Sequence, residues 1–163
     1  MDKLWAPWRT KYITGIKNAK GCIFCSKPKE GKDGKNYIVA RARHSFSILN
    51  LYPYNNGHMM VVPNRHVNNL SKLGRDELVD LMALLNDTQK LLQKTINPDG
   101  FNIGINIGKA AGAGIKDHVH IHIVPRWIGD TNFMPVSAST KVISESLDAL
   151  YGRIKKRCLR EKR

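Results

Sequence analysis

The chain is predicted to fold as an α+β domain: an antiparallel sheet with one long helix and a C-terminal helix. Three stretches carry that expectation. His118-Val119-His120-Ile121-His122-Ile123-Val124 alternates strictly, which is a strand signal because successive strand side chains point to opposite faces. Leu78, Leu81, Met82, Leu85, Leu92 and Ile96 instead recur at helical spacing, and the leucines and Met82 are expected in the core. Phe101 to Ile107 alternates again, and Gly108 to Gly114 would turn it back into the histidine strand as a hairpin-like pair.

Taken in order, the chain opens on Trp5-Ala6-Pro7-Trp8 and then Tyr12-Ile13. So many large rings need covering, by the domain or by a second subunit. Cys22-Ile23-Phe24-Cys25 follows, and Lys27 to Lys35 reads as an exposed loop. Asn36 to Arg41, Ser45 to Asn50 and Met59 to Val62 are strand-like, the last preceded by the turn residues Pro53 to Gly57. The long helix starts after Gly74, with Asp76 and Glu77 in a first turn that suits the helix dipole, and Pro98-Asp99-Gly100 ends it. Ser139 to about Lys156 reads as an amphipathic helix with Val142, Ile143, Leu147, Leu150 and Ile154 inward. This C-terminal helix and basic tail occupy 139–163.

With 163 residues the chain is most simply one domain around a single core. No apolar run approaches a membrane span and the first residues do not resemble a secretory signal, so a cytoplasmic protein without membrane contact is expected. Lys plus Arg number 27 against 13 Asp plus Glu, a formal charge of +14 that favours anionic partners. Nucleic acid could engage the basic tail, but a solvated helix end is the preferred reading of that segment.

On the histidine strand, Val119, Ile121 and Ile123 would pack inward and His118, His120 and His122 would line the other face. Three imidazoles on one face have poor packing value, so the strand reads as a site. A neutral imidazole is a competent nucleophile, and a second one two residues away can reach the same phosphate. Cys22-x-x-Cys25 has the spacing of half a zinc site, for which His66 and His118 could complete the set; reduced thiols are the other reading. Gly112-Ala113-Gly114 would let backbone N–H groups approach a phosphate closely, or be a plain turn.

His118 to Val124 resembles the signature of the histidine triad (HIT) superfamily of nucleotide hydrolases and transferases. Asn50, Asn56-Gly57-His58-Met59-Met60-Val61-Val62-Pro63 and Pro125 to Phe133 extend the resemblance, towards the branch of the fragile histidine triad protein and the diadenosine polyphosphate hydrolases and phosphorylases. It implies a HIT domain over 1–138 including the aromatic arm, usually assembled as a homodimer. It further implies that His120 attacks an α-phosphate to form a nucleotidyl-histidine, that His122 assists the bridging oxygen, and that His58 supports both. Asn50 would lie near the ribose and Asn106 near phosphate. Cys22, Cys25, His66 and His118 match residues that bind zinc in related uridylyltransferases and some HIT proteins. Such a zinc would be structural, and Cys158 and His44 would stand apart from it. One departure is clear: the Gly-Gln-Thr of the fragile histidine triad hydrolases is Gly112-Ala113-Gly114 here, which leaves more room for phosphate as acceptor.

The expected activity is therefore that of a nucleotidyl hydrolase or transferase cleaving dinucleoside polyphosphates such as diadenosine tetraphosphate, with phosphorolysis by inorganic phosphate as the alternative. A nucleotide-binding sensor with little turnover is the reading from another class.

Overall fold

The structure, a computed structural model, describes residues 21–130 and 143–161. The aromatic arm, Phe133, Ser139 and Val142 lie outside the described residues. Five strands form one sheet in the order β1-β2-β3-β5-β4, every neighbour antiparallel. They are β1 (Ile38–Arg41), β2 (Ser45–Leu49), β3 (Met59–Pro63), β4 (Gly100–Ile105) and β5 (Ile121–Arg126). The expected α+β class holds.

The sheet is covered on both faces, and the alternation of its strands sorts residues between two cores. Leu49, Met59, Val61, Val119, Ile121 and Ile123 face the long helix α3 (Arg75–Ile96) and the C-terminal helix α4 (Leu147–Glu161). Ile38, Phe46, Ile48, Met60 and Val62 instead meet Phe24, which projects from the short helix α1 (Ile23–Lys29). Among the described residues no helix is long and apolar enough to cross a membrane.

Helix α3 begins where expected. Glu77 accepts the Gly74 N–H at 2.8 Å and pairs with Arg65, so one carboxylate both caps the helix and anchors the loop after β3. It ends at Asn97, whose left-handed conformation (φ 45°) passes an N–H back to Gln93 O before Pro98. Its buried stripe is Leu81, Leu84, Leu85, Thr88, Leu91 and Leu92. Met82 is not core: it is 55% exposed. At 100° from Leu81 it falls off the stripe that runs i, i+3, i+4, i+7 through Leu81, Leu84, Leu85 and Thr88 and continues to Leu91 and Leu92.

Several boundaries differ from the sequence reading, β4 (Gly100–Ile105) among them, which stops two residues short of Ile107. Lys27 to Lys35 is not a plain loop, because α1 runs through Lys29 and a helical turn α2 (Asp33–Asn36) follows. The buried Asn36 side chain stabilises that turn by donating to Lys27 O and Glu30. Tyr37, at φ 55°, closes α2, so β1 starts at Ile38 rather than Asn36. The histidine strand enters the ladder only at Ile121; ahead of it Val119 N–H donates to Val67 O at 2.7 Å. Finally, α4 starts at Leu147, since the Ser146 hydroxyl accepts Ala149 N–H and caps it there. Leu150 and Ile154 are 1% and 0% exposed, so α4 closes the same core as the sheet.

The turn before β3 has one position that only glycine suits. Gly57 has φ +76°, and a Cβ there would come within 2.5 Å of Ile96 Cδ1 and 3.0 Å of Pro125 Cγ. The turn thus presses against the end of α3 and β5, and the next residue is His58.

Candidate active site

His118, His120 and His122 project from the face opposite α3 and α4, as their spacing requires. His118 and His120 are 0% and 4% exposed, with Phe24 packed 5.5 and 5.0 Å from their ring centres. His122 is half-buried and sits between Met60 of β3 and Gly104 of β4 in the sheet register. Gly104 carries no side chain, so nothing from β4 covers His122 on that flank.

His58 joins the triad from β3's leading turn. Its Nε2 lies 2.9 Å from His122 Nδ1. The hydrogen-bond partners fix where the protons sit. Tyr54 N–H donates to His58 Nδ1 at 3.0 Å, so the His58 proton is on Nε2 and is given to His122 Nδ1. His122 must then carry its own proton on Nε2. His120 Nδ1 lies 2.9 Å from the His118 carbonyl, to which it donates, so the His120 lone pair is on Nε2. Adjacent on one face, with ring centres 4.8 Å apart, are thus a bare imidazole nitrogen and an N–H donor. That pair can attack a phosphorus and protonate the group that leaves.

Burial keeps all of these rings neutral. It is the main reason that His58 falls from 6.5 to about 3 and His122 to about 4, with the neighbouring imidazoles adding to both. Burial also lowers His120, against its bond to the His118 carbonyl. A depressed histidine gives stability that is complete above the unfolded value and is lost as pH falls, because the unfolded chain takes up the proton first. Between pH 6.5 and about pH 5, His58 alone is expected to remove roughly 2 kcal/mol from the unfolding free energy. Urea titrations of chelator-treated protein test this. If His58→Gln has the same pH slope as the unmutated chain, the account is wrong.

Asn50 follows β2 beside His58. Its Oδ1 accepts Tyr52 N–H, which turns Nδ2 towards the His58 ring at 3.3 Å. Asn106 follows β4, two residues beyond Gly104. The Gly112-Ala113-Gly114 stretch follows a 3₁₀ turn (Lys109–Ala111), and two of its N–H groups are engaged: Gly112 donates to Lys109 O and Ala113 to Gly108 O.

On the far side of His118 lies a second cluster. Cys22, Cys25, His66 and His118 place their ligand atoms within 4.8 Å of one another. Cys22 Sγ and Cys25 Sγ stand 3.3 and 3.6 Å from His118 Nδ1, and Cys25 Sγ 3.3 Å from His66 Nδ1. A tetrahedral ion with sulfur and nitrogen bonds of about 2.3 and 2.0 Å separates those donors by roughly 3.5 Å, so the set can hold a metal. His118 Nε2–H donates to Pro63 O at 2.9 Å, which leaves Nδ1 as the ligand atom. Burial raises the Cys25 thiol and the adjacent Cys22 raises it further, a strain that a cation would relieve. His118 therefore faces Cys22, Cys25 and His66 through its ring and His120 through its carbonyl.

Sequence reasoning missed three supports. Tyr54 holds His58 by its N–H and lies with its ring 4.6 Å from His58 and 5.9 Å from His122. Phe24 backs His118 and His120. Asp130 accepts from Arg126, Asn55 and Trp127 N–H, and so ties the end of β5 to the turn that carries His58. The turn residues Pro53 to Gly57 were a signal for Tyr54 and Asn55; nothing local pointed to Phe24.

Fold and site together define a histidine triad domain, and the HIT domain family model matches residues 32–127. The chain belongs to the HIT family. A relative named AP-4-A phosphorylase, from Mycobacterium tuberculosis, is 36% identical over 154 residues, 90% of this chain and 79% of the relative. The asymmetrical bis(5'-nucleosyl)-tetraphosphatase of Schizosaccharomyces pombe is 38% identical over 89 residues, 55% of this chain and 48% of that protein. Among solved structures, a histidine triad nucleotide-binding protein of Sulfolobus tokodaii strain7 superposes with a TM-score of 0.70 at 29% identity, covering 87% of this chain and 95% of that one.

Proposed function

We propose that this protein is a nucleotidyl transferase that cleaves dinucleoside polyphosphates through His120, with inorganic phosphate as the acceptor. The observation that carries the reading is the proton arrangement: a lone pair on His120 Nε2 next to an N–H on His122 Nε2. His120 Nε2 forms a bond to the α-phosphorus as the bond to the bridging oxygen breaks, and that oxygen takes the His122 proton. In the second step a phosphate oxygen attacks the phosphorus, expels His120 Nε2, and returns a proton to His122. His58 holds His122 in the required tautomer, and Asn50 holds His58. In this reading Asn50 lies near the ribose and Asn106 near phosphate, and Gly112, Ala113 and Gly114 give the phosphate chain room through their small size rather than through the Gly112 and Ala113 N–H groups, which Lys109 O and Gly108 O occupy.

The likeness to a phosphorylase over 90% of the chain supports phosphate as acceptor, and the small side chains of Gly112 to Gly114 leave space for it. Hydrolysis is the second reading, supported by the tetraphosphatase likeness. In this reading the metal cluster holds zinc, which would supply a fixed brace for His118 rather than chemistry. A homodimer is part of the proposal too: β4 is an edge strand and its Ile103 is 44% exposed, an apolar edge that pairing would cover.

Product analysis decides the acceptor. Diadenosine tetraphosphate should give ADP and ATP only when inorganic phosphate is present. AMP and ATP without phosphate would establish the hydrolase instead, and no turnover in either condition would sink both.

A further inference from the structure

On the helical side of the sheet, away from the histidines, the end of α3 and the face of α4 form a shallow, open cleft of about 180 Å³. It is lined by Lys94 and Thr95 on one wall and by Arg153, Lys156, Arg157 and Arg160 on the other. Arg153 spans the two walls, donating to Thr95 O at 2.7 Å and pairing with Glu145. We propose that this cleft binds the phosphodiester backbone of a nucleic-acid strand without reading its bases.

Positions 153, 156, 157 and 160 follow i, i+3, i+4, i+7, so the cations form one stripe along about 10 Å of helix axis. A stripe suits a chain of phosphates better than a single anion. Among the described residues no aromatic side chain lines the cleft, so stacking on bases has no platform there. An anionic membrane would need an apolar face beside the charges. Here the apolar face of α4 is spent in the core, through Leu150 and Ile154, and Leu159 is the one large apolar side chain of α4 among the exposed residues. The chain's charge of +14 would draw a polyanion towards the protein, and the stripe would decide where it settles. Seen as sequence alone, these residues read as a solvated helix end; the opposing wall from α3 is what changes the reading.

The test is fluorescence anisotropy of a labelled oligothymidine of about 20 nucleotides against the full chain, the K156E/R160E variant and a K32E/K35E control. Lys156 and Arg160 are exposed, as are Lys32 and Lys35 near α2, so both pairs make the same charge change on the surface. K156E/R160E should weaken binding at least tenfold at low salt and flatten the salt dependence by roughly 1.4 in log–log slope, the loss of two contacts to a single strand. K32E/K35E should stay within about twofold, and diadenosine tetraphosphate turnover should be unchanged in K156E/R160E. Equal losses in both pairs would overturn the proposal, since binding would then follow net charge alone. So would displacement of the oligonucleotide by diadenosine tetraphosphate, tighter binding of inorganic polyphosphate of matched length, or preferential binding to phosphatidylglycerol vesicles.

Discussion

His120→Ala is expected to lower diadenosine tetraphosphate turnover by at least about 10⁴-fold while nucleotide binding stays within roughly threefold. The lone pair on Nε2 exists because Nδ1–H is spent on the His118 carbonyl, and the described residues offer no equivalent group on that face. His122 has its lone pair on Nδ1, where His58 occupies it. Loss of His120 therefore removes the covalent route rather than slowing it. His122→Asn should be milder, at about 10²–10³-fold, because the leaving oxygen can still take a proton from water at a cost. Single-turnover experiments with substrate labelled at the α-phosphate check both. Label should remain on protein denatured in base for the unmutated chain, where a phosphorus–nitrogen bond survives, and be absent in His120→Ala. Label on His120→Ala would move the nucleophile elsewhere. If the unmutated protein binds nucleotide with negligible turnover, the sensor reading replaces the enzyme.

How far such a site can be read in advance depends on how local its causes are. The period-2 alternation of His118 to Val124 is local, and it placed Val119, Ile121 and Ile123 in the core with the histidines opposite. The helix ends at Gly74 and Pro98 were legible for the same reason, since a cap is written within a few residues. Met82 was misplaced because two adjacent stripes on α3 both look apolar, and only the sheet beneath decides between them. The helical turns between Cys22 and Asn36 were missed because they depend on Phe24 entering a core made by β1, β2 and β3, and on the Asn36 side chain. The proton placement in the site needed coordinates: Tyr54 N–H and the His118 carbonyl set it, and backbone groups leave no trace in residue identity. Cys22 and His118 are 96 positions apart, and no spacing rule links them; family resemblance did.

Metal removal is expected to have the second largest effect, and it should act on stability and catalysis together. Cys22 and Cys25 flank the start of α1, His66 follows β3, and His118 enters β5, so one ion would join three segments that otherwise meet through Phe24 and its neighbours. Without it, the buried His118 Nδ1, the two crowded thiols and His66 Nδ1 face one another with no ion between them. We expect one zinc per chain, and chelation to reduce the unfolding free energy by at least about 3 kcal/mol. Turnover should drop more than tenfold even where the fold persists, because release of the His118 ring frees its carbonyl from the position that orients His120. Cys22→Ser should reproduce both effects. Cys158→Ser should leave zinc content intact, since Cys158 lies in α4 against the opposite core. Zinc by atomic absorption, urea midpoints and turnover at low denaturant separate the possibilities. A chelated protein that loses stability but keeps its turnover would confine the metal to folding. One that loses neither would return Cys22 and Cys25 to ordinary thiols, and the link from cluster to nucleophile through His118 would fall with it.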